Sequence, residues 1–157
     1  MNETLFNVTA NVVTTDDYYT PKWIFEALGV EFDLDVSAPP QGIPWLPSKA
    51  WYSQIDDGLN QDWAGQFVWM NPPYGNPKAW VHKFIENGNG IALLGSARSR
   101  WFTKLWDVAD AVVPTPYDLK FVRPNGDPKT ISYQTYLFAL GKKGANALNQ
   151  ANIGKAR

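Results

Sequence analysis

Apolar and polar positions along the chain fall into short blocks that alternate between helical and extended spacing. In "PKWIFEALG" (21–29), Trp23, Ile24, Ala27 and Leu28 recur at helical spacing. Thr20 suits the N-cap, Pro21 the first helical position, and Gly29 the stop. "EFDLDVSA" alternates and predicts a strand around 32–36. "PPQGIPWLPS" has four prolines in ten residues, so neither a helix nor a central strand can run through it. A short strand near "AWYS", a loop over "QIDDGLNQDW" and a strand at "QFVWM" follow. "PKAWVHKFIENG" predicts a helix with Trp80, Val81, Phe84 and Ile85 on its apolar face, stopped by Gly88. "GIALLG" reads as a buried strand, "SRWFTKLWDVA" as a helix and "DAVVP" as a strand. "DLKFVRPNGDPKTISYQTYLFAL" reads as a hairpin around a Pro-Asn-Gly turn.

Strands alternating with helices, closed by a hairpin, predict a compact α/β domain. The expected sheet is mixed, with a parallel centre and an antiparallel C-terminal hairpin. One domain over 1–157 is expected, with 1–17 a loose arm and 141–157 a basic tail of four cations and no acid. In such sheets ligands sit beyond the carboxyl ends of the strands. The two stretches of least ordinary chemistry, "DVSAPP" and "MNPPYG", both fall at predicted strand ends.

Composition narrows the chemistry. No Cys and a single His82 argue against disulfides, thiolate metal sites and a His-based zinc centre, so no metal is expected. No apolar run approaches the roughly 20 residues of a membrane span. The start of the chain lacks the pattern of a signal peptide, which predicts a cytoplasmic setting. Eight Trp, seven Tyr and eight Phe exceed what a core of this size needs, which leaves rings for stacking on a planar ligand. The net charge of −1 hides a division: through Asp62 there are ten acids against Lys22 and Lys49, and after it five acids against twelve cations. A basic half can meet nucleic acid on one face; the alternative is that the signs mix once the halves fold together.

"NPPY" (71–74) has a specific chemical reading. The Asn71 side-chain carbonyl is an acceptor, and Pro72 carries a carbonyl with no N–H beside it. Each proline fixes its own φ and forces the preceding residue to be extended. Two acceptors are thereby set close to the flat face of Tyr74. That suits an exocyclic amino group on a planar ring: both N–H bonds are accepted, and the nitrogen lone pair is drawn out of conjugation. Alone, the tetrapeptide can also be a plain turn.

"YYTPKWIFEAL", "FDLDVSAP", "DDGLNQDW" and "VWMNPPYG" occur in the order found in the phage-type DNA N-6-adenine methyltransferase family, which this chain resembles over roughly 18–101 and more loosely to about 140. The resemblance implies a Rossmann-like methyltransferase fold that uses S-adenosylmethionine to methylate the amino group of a flipped adenine in DNA, expected to be double-stranded. It implies that Asn71, Pro72, Pro73 and Tyr74 hold the base. Thr20 and Pro21 look like the segment for the methionine end of the cofactor, whose carboxylate a helix N-terminus suits. Asp35, Val36, Ser37 and Ala38 look like the acidic strand end that meets its amino group. Asp57 and Gly58 look like the element at its adenine edge, with Asp56 the alternative to Asp57. One departure stands out: where most methyltransferases carry a glycine-rich turn after the first strand, this chain has "PPQGIPWLPS". The chain has no long recognition insert, which predicts short or relaxed sequence specificity.

In "SARSRWFTK", Arg98, Arg100 and Lys104 beside Trp101 are candidates for gripping phosphates and wedging beside an extruded base; the alternative is an exposed basic helix face. Lys120 and Arg123 on the hairpin are further candidates. Trp45, Trp51 and Trp63 are expected to pack loops or core. Two other functions stay open: methylation of another amino group (cytosine N4, RNA adenine or a protein amide), and non-catalytic DNA binding with a degenerate cofactor site.

Overall fold

The computed structural model describes residues 18–154. The expected arm at 1–17 lies outside the described residues. The elements are α1 (Lys22–Leu28), β1 (Phe32–Ala38), β2 (Ser48–Ser53), a 3-10 turn (Gly58–Asn60), β3 (Val68–Met70), α2 (Lys78–Asn87), β4 (Gly90–Gly95), α3 (Arg100–Val108), β5 (Ala111–Pro114), β6 (Phe121–Val122), β7 (Pro128–Lys129), β8 (Thr135–Leu140) and α4 (Lys142–Ala151). Six strands form one sheet in the order β2-β1-β3-β4-β8-β5. The first four are mutually parallel, while β8 runs antiparallel to β4 on one side and β5 on the other.

Two apolar layers sandwich the sheet, and strand periodicity sorts residues between them. Ile91 and Leu93 of β4 join Ile24, Phe25 and Leu28 of α1 and Ala147 and Leu148 of α4. Ala92 and Leu94 face the other way, toward Val81 and Phe84 of α2 and Leu105 of α3. β3 is buried along its whole length, as a central parallel strand must be.

Most expected elements are present, with four differences. Thr20 does not cap α1: Pro21 holds the N-cap position in an extended conformation, and Thr20 is fully buried. Trp23 is exposed, and Phe25 takes the inner face instead, because its ring meets Trp69 edge-on at 4.8 Å and Phe32 at 6.4 Å. The hairpin exists only as the two-residue strands β6 and β7, which form a separate small sheet. "TYLFAL" leaves it for the main sheet because almost all its residues are apolar or buried on both faces, and only a position between two strands buries both. Finally, 142–151 of the expected basic tail is a helix. Gly144, Ala147 and Leu148 sit at i, i+3 and i+4 and are buried, a spacing that the charges of Lys142 and Lys143 obscure.

Because α4 is part of the core, Leu148→Ala should lower unfolding stability by about 2–5 kcal/mol in urea titration. A frayed tail at this position predicts no change.

Candidate active site

Parallel strands bring their carboxyl ends to one edge, and β8 arrives there by its first residue. That edge therefore carries 35–38 after β1, 71–74 after β3, Gly95 and the following loop after β4, Thr115 after β5, and 133–135 leading into β8.

Asn71 sits at the middle of the edge. Its backbone carbonyl accepts from Ser37 Oγ at 2.8 Å, which ties the ends of β1 and β3 together. Its carboxamide nitrogen donates to the Tyr18 carbonyl at 3.1 Å and faces Thr20 Oγ1 at 3.5 Å. This fixes the amide's orientation, because a flipped amide would set Oδ1 against the Tyr18 carbonyl. Among the described residues nothing donates to Asn71 Oδ1 or to the Pro72 carbonyl. Pro72 is buried and Pro73 exposed. The half-buried Tyr74 ring stands edge-on to Tyr133, 6.0 Å between centroids. Tyr133 in turn lies against Gly95, where a Cβ would fall 2.5 Å from its ring. A side chain at 95 would have to displace Tyr133.

Asp35 is 2% exposed, and among the described residues its one hydrogen-bond partner is the Ser37 N–H at 3.2 Å. Burial pushes its carboxyl from the ordinary 3.8 up to about 7, and the Ser37 N–H opposes that only in part. A buried, under-partnered acid is costly in a fold and suits a cationic ligand.

Gly58 reaches the same strand end. A Cβ there would sit 2.1 Å from the Val36 carbonyl, so only glycine allows the approach. Trp63 Nε1 holds the Gly58 carbonyl from beneath at 2.8 Å. Asp57 takes a left-handed conformation (φ 57°), uncommon for a non-glycine, and its carboxylate accepts from Asn60 Nδ2 at 2.7 Å. The Asp56 carboxylate turns back onto Ser53, accepting from its N–H and its hydroxyl. Of the two carboxylates, that of Asp57 is the one with no bond to the turn's backbone among the described residues.

The proline-rich loop at 39–47 is fastened by tryptophans. Trp45 Nε1 donates to the Thr20 carbonyl at 2.8 Å; Trp51 Nε1 reaches the Pro40 carbonyl at 3.3 Å and its ring covers Gly42. Trp45, Trp51 and Trp63 therefore pack loops and core.

The basic candidates divide in two. Arg98, Arg100 and Lys104 are exposed and line one open groove with Ser99 and Thr103 at the start of α3, which Ser99 caps. Trp101 packs against the second apolar layer, edge-on to Phe102 at 5.8 Å. Lys120 and Arg123 lie away from that groove, on the hairpin. Lys120 braces it through Thr130 Oγ1, and the Arg123 guanidinium lies over the Tyr18 ring at 5.8 Å. Tyr18, Gly95 and Tyr133 join the candidate site, and periodicity did not single them out. Tyr18 acts by its backbone, which carries no side-chain signal, and "SYQTY" reads only as strand.

A family profile described as DNA N-6-adenine-methyltransferase (Dam) matches residues 8–132, and the chain belongs to that family. It is 31% identical over 97 residues to the DNA N-6-adenine-methyltransferase of Haemophilus phage HP1, covering 55% of this chain and 54% of the relative. It is 32% identical over 95 residues to the protein of the same name from Escherichia phage T1, covering 57% of this chain and 39% of the relative. The matched region is thus about half or less of each relative's length. No solved structure matches the chain.

The Asp35 carboxyl stays protonated in the folded chain at pH values where the unfolded chain has ionised it. Stability should therefore fall as pH rises from about 4 to about 7 and then level off. Asp35→Asn, which keeps the acceptor for Ser37 N–H, should match the parent near pH 4 and exceed it above pH 7 by up to roughly 4 kcal/mol. Urea titrations at pH 4, 6 and 8 check this, and a gap that does not grow with pH contradicts it.

Proposed function

We propose that the chain is an S-adenosylmethionine-dependent methyltransferase acting on the N6 amino group of adenine in DNA, on a single Rossmann-like domain. The observation that carries this reading is the acceptor pair at the end of β3. Asn71 Oδ1 and the Pro72 carbonyl are both free of described donors, and the amide's direction is set by Tyr18. An adenine amino group has two N–H bonds to give and a planar ring to lay beside Tyr74. Accepting both bonds leaves the nitrogen lone pair available for attack without a strong base, so positioning and electrostatics supply most of the rate. In duplex DNA the base must leave the stack to reach this edge.

The residues at the end of β1 fit the cofactor. The under-partnered Asp35 suits its amino group, with Val36, Ser37 and Ala38 alongside. Asp57 and Gly58 close the far side, where Gly58 is pressed against Val36. Thr20 and Pro21 border the site toward Asn71. When bound, S-adenosylmethionine supplies an electrophilic methyl group. Asp35 holds an ammonium, and Asn71 and Pro72 hold and orient the accepting nitrogen.

Phosphate contacts fall to Arg98, Arg100 and Lys104, with Trp101 fixing the helix that bears Arg100 and Lys104, and Lys120 and Arg123 flanking on the hairpin. The expected setting is cytoplasmic, the host's if the gene is phage-borne. None of the described helices is long and apolar enough to cross a membrane. The loop at 39–47 favours one rival, a DNA-binding protein that has lost its cofactor site, since no glycine-rich turn is present there.

Labelled S-adenosylmethionine and unmethylated DNA, followed by nucleoside analysis, should yield 6-methyladenine. Binding of the cofactor without that product, or 4-methylcytosine in its place, rules the adenine reading out; no binding up to millimolar concentration supports the rival. Asn71→Ala should cut transfer at least about a hundredfold while calorimetry finds cofactor binding unchanged. Replacing Arg98, Arg100 and Lys104 together by Gln should reduce the salt dependence of DNA affinity by about two to three units in the log–log slope.

A further inference from the structure

Strand order sorts the carboxyl edge into two sides of Asn71. Toward β1 and β2 lie Asp35, Gly58 and Asp57. Toward β4, β8 and β5 lie the Arg98–Arg100–Lys104 groove, Tyr133 and the turn after β5. That turn ends the row with an unexpected residue: Tyr117 is 90% exposed, the most exposed large hydrophobic side chain among those described.

The turn beneath Tyr117 is rigid. Thr115 is buried, its N–H and its hydroxyl both bonded to the Thr135 carbonyl at the start of β8, and the two threonine hydroxyls also meet. Gln134 Nε2 donates to the Thr115 carbonyl at 2.9 Å. Pro116 precedes Tyr117, the Leu119 N–H closes the turn onto the Pro116 carbonyl at 3.1 Å, and Leu119 is buried. A stiff turn anchored at both ends thus holds a phenol ring out in water. Tyr117 also shares a cavity wall with Tyr133, whose ring stands against Tyr74.

Two other exposed rings have other work. Trp51 covers Pro40 and Gly42, and Trp106 packs edge-on against Tyr136 and Phe138. Ile55 is exposed too, but it belongs to the turn that carries Asp56 and Asp57, on the cofactor side of Asn71. Trp101, at the basic groove, has its ring in the second apolar layer.

Extruding a base leaves a gap in the duplex, and a wedge that stacks in the gap offsets the cost of unstacking. We propose that Tyr117 is that wedge, entering the stack vacated by the adenine while Tyr133 and Tyr74 line the path to Asn71. This rests on the methyltransferase reading above. Its mark is that Tyr117 matters for duplex DNA and not for single strands, where no stack has to be held open.

The test uses the full chain with labelled S-adenosylmethionine, on unmethylated plasmid DNA as duplex and after heat denaturation. Tyr117→Ala should lose roughly tenfold or more in kcat/KM on the duplex. It should keep the parent's rate on denatured DNA, its thermal midpoint and its cofactor affinity. Tyr117→Trp should restore duplex transfer. No loss on the duplex, or an equal loss on both DNAs, overturns the proposal while leaving the methyltransferase reading intact. A parent that methylates only denatured DNA also overturns the wedge. A parent that methylates neither DNA overturns the underlying reading and the wedge with it.

Discussion

Two distant stretches of chain are tied to Asn71. Ser37 holds its backbone carbonyl, and Tyr18 and Thr20 hold its side-chain nitrogen. Among the described residues no donor reaches the side-chain oxygen that remains. The anchoring continues outward. Tyr19 exchanges both backbone hydrogen bonds with Val122 of the small hairpin, and Arg123 lies over Tyr18. The hairpin is outside the main sheet, yet it steadies the segment that aims the acceptor. Preorganised acceptors need no reorientation when a substrate arrives, which is where such sites gain most.

Much of this was legible in the sequence. Elements with clean periodicity stand where expected, and the strand-end position of "DVSAPP" and "MNPPYG" placed the two halves of the site on one edge. The joining bond, Ser37 to Asn71, spans 34 residues and has no local signature. The misplacements share a cause: a local rule was overruled by packing. Thr20 is a good cap by residue type, but burial against Asn71 and Trp45 claims it. "TYLFAL" follows a good turn, but a strand apolar on both faces has to be central. In the last helix, charge masked a small-residue face that Gly90 and Ala139 require: a Cβ on Gly144 would come within 2.8 Å of the Gly90 carbonyl.

The division of charge along the sequence acquires a spatial meaning. The acid-rich first part builds β1, β2 and the turn carrying Asp57, while the cation-rich remainder supplies β4, α3, β5 and the hairpin. Asn71 follows β3, the strand between them. The division is not complete: Lys83 donates to the Leu59 and Gln61 carbonyls beside the Asp57 turn, and Asp107 lines the groove of Arg98, Arg100 and Lys104. Asp35 adds a local version of the same principle, since its buried carboxyl is least comfortable when charged and alone.

The position of β8 bears on how the chain is made. β5 pairs with nothing in the sheet except β8, and β4 has β8 as its outer neighbour. A nascent chain that has not yet released Thr135–Leu140 therefore carries a bare β4 edge and an unpartnered β5, both strongly apolar. Such edges invite pairing with other chains. Synthesis must pass Leu140 before the sheet can close. A product that stops before Thr135 is thus exposed to aggregation.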